Sequence, residues 1–238
     1  MNNKILSMLT GVAVAASAFA ANAAETVLPK FDKSKTAIVI TDPQNEFLDE
    51  KGKLFGLVKP NMDKLGTIKN IETLMKTSKA NDMTLAVDPL VYTKLDINWS
   101  NAGTLQRTLL DMKALYSETT DVADLKGTGA DFYEPYKKYI FDGKTLVIAP
   151  HKMYGPESND LIYQLRANGV DTVILGGLVA NLCVDSHMRA LMESGFKVYV
   201  VKDAVAAPGE DAYNAALVNY GMIANGVLTT AEVTQALN

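Results

Sequence analysis

The feature that most restricts the fold of this chain is a repeated alternation between short, continuously apolar runs and segments with helical spacing. Five runs predict strands and a sixth predicts a short edge strand: 36–41, 83–88, 145–149, 171–175, 196–201 and 222–228. Continuous apolar runs are typical of parallel strands, which are covered on both faces. The pattern therefore predicts an α/β protein with three α/β/α layers around a mostly parallel, roughly six-stranded, Rossmann-like sheet.

Helical spacing fills most of the intervals between these strands. The chain predicts one helix over 62–79 and others at 159–168, 182–194 and 208–220, with a short helix at 131–140. Such folds place their functional sites at the carboxyl ends of the strands.

The segment 89–142 is too long to be a simple connection between two strands. It contains Trp99 and five tyrosines: Tyr92, Tyr116, Tyr133, Tyr136 and Tyr139. We interpret it as a cap-like insertion over the strand ends. The same segment is also a candidate for an oligomer contact. A packed surface excursion is the alternative.

The first 24 residues have the pattern of a secretory signal peptide. Lys4 is a short basic start, residues 5–20 are apolar, and Ala21-Asn22-Ala23 offers a cleavage site near Ala23. A membrane anchor needs ~20 apolar residues and different flanks. We therefore expect an exported protein, periplasmic or secreted, with residues 25–238 as a single domain and no membrane association after signal cleavage.

Composition argues against several classes of function. The net charge is −4, and no basic stripe is present, so nucleic-acid binding is not expected. With two histidines and one cysteine in the chain, a zinc site would depend on carboxylates. We expect no metal, no cofactor and a small-molecule substrate.

Cys183 is the only cysteine of the sequence, so it has no partner for an internal disulfide. A predicted strand ends at Gly176-Gly177, and Cys183 falls in the first turn of the helix that follows. Free N–H groups and the helix dipole at such a position lower the pKa of a thiol. This predicts a reactive thiolate, whereas the alternative is a small buried apolar residue.

Two further reactive side chains follow predicted strands. Asp42 comes directly after the first strand and Lys152 shortly after the third. Asp42 can take the thiol proton if partial burial raises its pKa, and Lys152 can hold both anions in place. Backbone N–H groups of Ala180 and Cys183 can form an oxyanion hole.

His151 and His187 are predicted to have no direct part in the chemistry. His187 lies one helical turn beyond Cys183 and is predicted to be a packed or capping residue. His151 directly precedes Lys152 and can line the same pocket.

Five other residues are candidates for substrate binding. Gln44 and Asn181 carry amides that can bind substrate or fix their own turns. Phe47 and Tyr154 can form apolar walls or belong to the core, and Trp99 is the preferred residue of the cap.

Three motifs resemble those of the isochorismatase-like cysteine hydrolases, which include nicotinamidases, N-carbamoyl amidohydrolases and ureidoacrylate amidohydrolases. The first is IVITDPQNEF at 38–47, and the second is GKTLVIAPHK at 143–152. The third and most specific is GGLVANLCV at 176–184, followed by GFKVYVVKDA at 195–204. The resemblance extends from Thr36 to the C-terminus.

The resemblance implies a role for each matching residue. Asp42 would be the general base, Lys152 its charged partner, and Cys183 the nucleophile that forms a thioester and releases ammonia or an amine. A non-proline cis peptide at Val179–Ala180 would aim the Ala180 N–H at the oxyanion. Members of the family are commonly dimers or larger assemblies, so a homo-oligomer is possible.

The chain also departs from the family. Nicotinamidases bind a metal through an aspartate and histidines near strand two, but no histidine stands beside Asp88 here. MYGP at 153–156 replaces the small residue and phenylalanine that often follow the lysine. Members that cleave a vinyl ether can dispense with the cysteine, so Cys183 favours acyl chemistry.

The sequence thus predicts an exported cysteine hydrolase that cleaves a C–N bond of a small amide, ureido or carbamoyl compound. Two alternatives remain open. One is hydrolysis of a non-amide bond led by Asp42, and the other is a non-catalytic or redox-responsive small-molecule binding protein.

Overall fold

The computed structural model describes residues 28–238. The predicted signal peptide at 1–24 lies outside these described residues. One parallel sheet organises the fold, with strand order β3-β2-β1-β4-β5-β6. Its strands are β1 Thr36–Thr41, β2 Thr84–Asp88, β3 Leu146–Val147, β4 Thr172–Leu178, β5 Lys197–Ala206 and β6 Gly226–Leu228.

Helices connect the strands and cover the sheet. They are α1 Asn45–Leu48, α2 Phe55–Leu65, α3 Thr67–Ala80, α4 Thr104–Asp111, α5 Lys137–Ile140, α6 Leu161–Ala167, α7 Asp185–Glu193, α8 Glu210–Ile223 and α9 Thr230–Leu237. One π-helical turn, Ala180–Val184, links β4 to α7. No helix between residues 28 and 238 is long and apolar enough to cross a membrane.

Alternation along each strand divides the buried side chains into two cores. Ile38 and Ile40 of β1 pack on one face of the sheet, with α2, α3 and α9. Ala37 and Val39 pack on the other face, with α6, α7 and α8. The predicted three-layer α/β/α architecture is confirmed.

Several element boundaries differ from the prediction. The single helix predicted over 62–79 is two helices, α2 and α3, because Gly66 adopts a left-handed conformation with φ 71°. Only two residues of the third predicted strand form β3, and β5 continues to Ala206.

The segment 89–142 lies between β2 and β3 and contains α4 and α5. Its apolar side chains join the core on the α3 face of the sheet, among them Leu109, Leu110, Phe132 and Tyr136. The segment is therefore packed into the domain, and its α4 reaches the site described below.

Gly177 allows β4 to lie close to the end of β1. Its φ is +118°, and a Cβ at this position would lie 2.2 Å from the Thr41 carbonyl oxygen. Gly177→Ala should therefore lower the free energy of unfolding by about 3 kcal/mol or more, through backbone strain and overlap. Chemical denaturation measures this loss.

Gly221→Ala is the matched control, because Gly221 lies within α8 with no neighbouring atom within 4 Å of an added Cβ. Its stability should stay the same or rise by up to about 1 kcal/mol. Equal stability of the two variants would contradict the prediction.

Candidate active site

Asp42 lies where β1 ends, in the centre of the sheet. Its backbone is left-handed, with φ 50°, a conformation that aspartate tolerates better than most residues. Its N–H donates to the Asp88 carbonyl oxygen at 2.9 Å, and the side chain is fully buried. Oδ1 lies 2.9 Å from His151 Nε2, whereas Oδ2 has no hydrogen-bond partner among the described residues.

His151 is the cationic neighbour of Asp42. Its backbone bridges to Leu90 just beyond β2, and its ring is fully buried. Nε2 faces the Asp42 carboxylate and Nδ1 faces the Lys152 carbonyl oxygen. Since both partners are acceptors, both ring nitrogens carry protons. Burial alone would lower the pKa of His151, but the negative charges of Asp42 and Asp88 outweigh it and raise this pKa to about 9.

Lys152 does not contact Asp42, in contrast to the role predicted for it. Its Nζ donates to Asp96 Oδ2 at 2.7 Å and to the Val91 carbonyl oxygen at 2.9 Å. The side chain is partly exposed and ties the start of the 89–142 segment to the sheet. The reason is local geometry, because successive side chains of extended backbone point to opposite sides and His151 takes the inward position.

A second histidine–carboxylate pair supports the turn that contains Cys183. Asp88, at the end of β2, accepts from Asn159 Nδ2 at 2.6 Å and lies 2.8 Å from His187 Nε2. His187 Nδ1 lies 2.6 Å from the Cys183 carbonyl oxygen. These contacts attach the turn that contains Cys183 to the end of β2. Sequence analysis anticipated a packed role for His187 but assigned none to Asp88.

The two pairs bring close together three residues that can bind a metal. Donor atoms of Asp88, His151 and His187 lie within 4.8 Å of one another, and all three residues are buried. Each imidazole nitrogen faces a carboxylate or carbonyl oxygen. Each imidazole is therefore already paired through both ring nitrogens, and the arrangement fits two imidazole–carboxylate pairs better than it fits metal ligands.

Cys183 lies in the π-helical turn, two residues before α7 begins. Its thiol is buried and donates to the Met153 carbonyl oxygen at 3.2 Å. Burial and the negative charge of Asp42 raise the pKa of Cys183 well above its ordinary value, although the Val179 N–H acts in the opposite direction. The prediction of an easily ionised thiolate was wrong, because burial and a neighbouring carboxylate dominate over the helix start.

The predicted oxyanion hole lies in the same turn. Ala180 is fully buried, and its carbonyl oxygen accepts from the Tyr220 hydroxyl at 2.5 Å. The cis peptide is Leu178–Val179, one residue earlier than the predicted Val179–Ala180. The role of the Ala180 and Cys183 N–H groups remains a prediction.

A cavity of about 120 Å³ opens beside Cys183. Phe47 lines it, as predicted, together with Leu90, Met153 and Val179. Gln44 does not reach it. The Gln44 amide instead makes three hydrogen bonds to backbone groups of Leu90 and Ala130 and so fixes the loop after β1.

Three other predicted binding residues lie outside this cavity lining. Trp99 is partly buried and packs edge-on against Tyr92, with ring centroids 6.0 Å apart. Tyr154 is exposed near α7. Asn181 is in the π-helical turn, and its buried Oδ1 has no hydrogen-bond partner among the described residues. Residues from α4 occupy the cavity wall instead, which no sequence motif indicated.

The raised pKa of Cys183 has a direct experimental consequence. The pH midpoint of its alkylation by iodoacetamide should lie above the ~8.5 of a free cysteine, since the folded protein holds the thiol neutral. Asp42→Asn should lower this midpoint by removing a nearby negative charge. A wild-type midpoint below pH 7 would contradict the electrostatics described here.

Comparison with known proteins identifies the family of this chain. The family model described as Isochorismatase domain matches residues 36–232. An uncharacterized isochorismatase family protein of Bacillus subtilis (strain 168), YddQ, is 30% identical over 99 residues, which are 39% of this chain and 55% of that protein. The chain thus aligns with about half the length of this curated relative.

Solved structures share the whole fold. A cysteine hydrolase from Pseudomonas syringae pv. phaseolicola 1448A superposes with a TM-score of 0.68 and 19% identity, covering 90% of this chain and 98% of the other. For N-carbamoylsarcosine amidase from Thermoplasma acidophilum, the TM-score is 0.59, with 20% identity and coverage of 82% and 96%. Since the domain match extends from the first strand into the last helix, the chain belongs to the isochorismatase family.

Proposed function

We propose that this protein is an exported cysteine hydrolase that cleaves the C–N bond of a small amide, ureido or carbamoyl compound through a thioester on Cys183. One observation carries the proposal. The Cys183 thiol lies at a cavity suited to a small molecule, and the charge of the buried Asp42 acts on it. The amidase named above supports C–N chemistry within this fold.

The reaction follows from a thiol that is neutral at rest. Asp42 Oδ2 accepts the Cys183 proton as the sulfur attacks the substrate carbonyl carbon and forms a C–S bond. The C–N bond then breaks, and Asp42 returns the proton to the departing nitrogen, which leaves as ammonia or an amine. Water attacks the thioester, Asp42 takes one of its protons, and the sulfur leaves with a proton as the acid is released.

His151 is the positioning residue of this scheme. Its imidazolium donates a hydrogen bond to Asp42 Oδ1. Among the described residues, Oδ2 has no hydrogen-bond partner and is therefore the oxygen that can accept a proton. The imidazolium also compensates the negative charge of the buried Asp42 carboxylate. His151 therefore takes the role that the sequence analysis gave to Lys152.

The export, the small-molecule partner and a possible homo-oligomer remain part of the proposal. Export depends on the signal-peptide pattern at 1–24. Intact mass of the secreted chain, compared with the full sequence, tests it directly through the loss of the segment ending near Ala23.

Asp42-led hydrolysis of a non-amide bond is the second candidate. It is favoured by the hydrogen bond of the Cys183 thiol to the Met153 carbonyl oxygen, which holds the thiol protonated. Under this alternative the cysteine lines the pocket without becoming acylated.

The test is intact mass spectrometry of the wild-type protein after rapid quenching with small amides, ureas and carbamoyl compounds. The proposal expects an acyl adduct that peptide mapping places on Cys183, the only cysteine in the chain. Product formation from a non-amide substrate, with no adduct at any quench time, would support the second candidate instead.

A further inference from the structure

The chemistry of the cavity beside Cys183 restricts the substrate of the proposed hydrolase. Thirteen of its fifteen lining residues are apolar, and the exceptions are Cys183 and Thr108. The Thr108 hydroxyl donates to the Thr104 carbonyl oxygen at 3.0 Å within α4, so it is already paired. Within the described part of the chain, the wall therefore offers no unused polar side chain apart from the Cys183 thiol.

Among residues 28–238, no charged side chain is part of this lining. The two cations of the candidate site are engaged elsewhere, His151 with Asp42 and Lys152 with Asp96. A substrate that carries a carboxylate would have to leave water without gaining an opposite charge, which is strongly unfavourable. Acidic substrates, such as carbamoyl derivatives of amino acids, do not match this wall.

The size of the cavity fits a compact apolar group. Its volume is about 120 Å³. An apolar protein cavity of about 150 Å³ accommodates benzene, so this space suits a small ring or a short branched alkyl chain. Each methylene that enters it should improve binding by about four-fold.

The entrance has the same character as the interior. Leu57 on α2 and Leu105 and Met112 at α4 line the cavity and are 58%, 38% and 42% exposed. Exposed apolar side chains grouped at one opening are typical of sites that bind an apolar ligand.

We infer that the substrate is an uncharged carboxamide whose acyl group is apolar and about the size of a benzene ring or a branched four- to five-carbon chain. This inference rests on the proposed function, since it assumes that Cys183 is acylated. The amide carbonyl carbon meets the sulfur, and the apolar acyl group fills the cavity between α2, α4 and the turn after β4.

Two substrate series test this. The neutral series is acetamide, butyramide, isovaleramide and benzamide, and the acidic series is malonamate and succinamate. The expected result is a kcat/KM that rises about four-fold per methylene in the neutral series. The acidic compounds should be at least about 100-fold poorer than butyramide, because their charge finds no partner.

A rim substitution provides a readout that does not depend on the nucleophile. Leu105→Arg places a cation at the entrance and should raise kcat/KM for succinamate relative to butyramide by about ten-fold or more. Leu95→Arg is the matched control, because Leu95 is 81% exposed and does not line the cavity. It should leave the ratio unchanged.

The outcomes separate the two proposals. If succinamate acylates Cys183 faster than butyramide in the wild type, the apolar specificity is wrong although the cysteine hydrolase stands. If no compound of either series acylates Cys183, this inference fails. The proposed function fails with it only if the ureas and carbamoyl compounds of the adduct test also leave Cys183 unmodified. If adducts form but kcat/KM does not change with the size of the acyl group, the inference is also overturned.

Discussion

Replacing Cys183 by alanine should reduce amide hydrolysis by at least about 10⁴-fold, because the variant lacks the sulfur atom that we propose bonds to the acyl carbon. The fold should survive, since the side chain is small and its thiol is a weak donor to the Met153 carbonyl oxygen. Ammonia release under saturating amide measures the loss. Intact mass should show no acyl adduct on the variant.

Val184→Ala is a suitable control for lost packing in the same turn. Val184 is fully buried next to Cys183, packs on the opposite face of the sheet and does not line the cavity. It should lose stability by about 1 to 3 kcal/mol and keep most of its activity. Equal activity of wild type and Cys183→Ala would exclude the thioester mechanism and favour hydrolysis led by Asp42.

The second large effect is expected at His151. His151→Gln keeps a hydrogen-bond donor near Asp42 but removes the positive charge, so kcat/KM should fall by about 100-fold or more. Leaving a buried carboxylate without its cation should also cost about 3 kcal/mol of stability. Steady-state kinetics and chemical denaturation on the same preparation measure both effects.

Lys152→Gln separates the two possible cations. Lys152 bridges Asp96 and the Val91 carbonyl oxygen on a partly exposed surface, so its loss should cost about 1 kcal/mol and change kcat/KM less than ten-fold. If Lys152→Gln abolished turnover while His151→Gln retained it, the assignment of His151 would be wrong.

The pH dependence gives a readout that a merely structural role would not produce. Because the pKa of His151 is raised to about 9, its charge and the activity should be lost as the pH rises through 9. The unfolded value is ~6.5, so the pair stabilises the fold fully below that pH and loses this contribution as the pH rises through 9. His151→Lys should restore part of the activity and move the alkaline limit upward, since a lysine titrates near ~10.4.

Much of the fold was predictable because it follows from local rules. The apolar run at 36–41 became β1 without change, since a strand covered on both faces needs no alternation. The break between α2 and α3 was missed although Gly66 marks it, because the apolar spacing continues across the glycine. Thr229 and Glu232 form a capping box that begins α9, a local signal that the sequence analysis did not use.

The candidate site was predictable only in part. Asp42 and Cys183 were found because each follows a strand at the same edge of a parallel sheet. The choice between His151 and Lys152 depends on which of two adjacent side chains points inward, and the short β3 gave no pattern to decide it. Asp88 and His187 are 99 residues apart, so their pairing is a property of the tertiary structure.

The sequence by itself determined the layered fold, the edge of the sheet that carries the site, and the family, because these depend on periodicity and motifs along the chain. Only the tertiary structure decided the ionisation of the site and the shape of the pocket. The pKa of Cys183 rises because burial and the Asp42 charge come from distant segments. The apolar cavity wall likewise combines side chains from α2, α4 and the turn after β4, which meet only when the chain is folded.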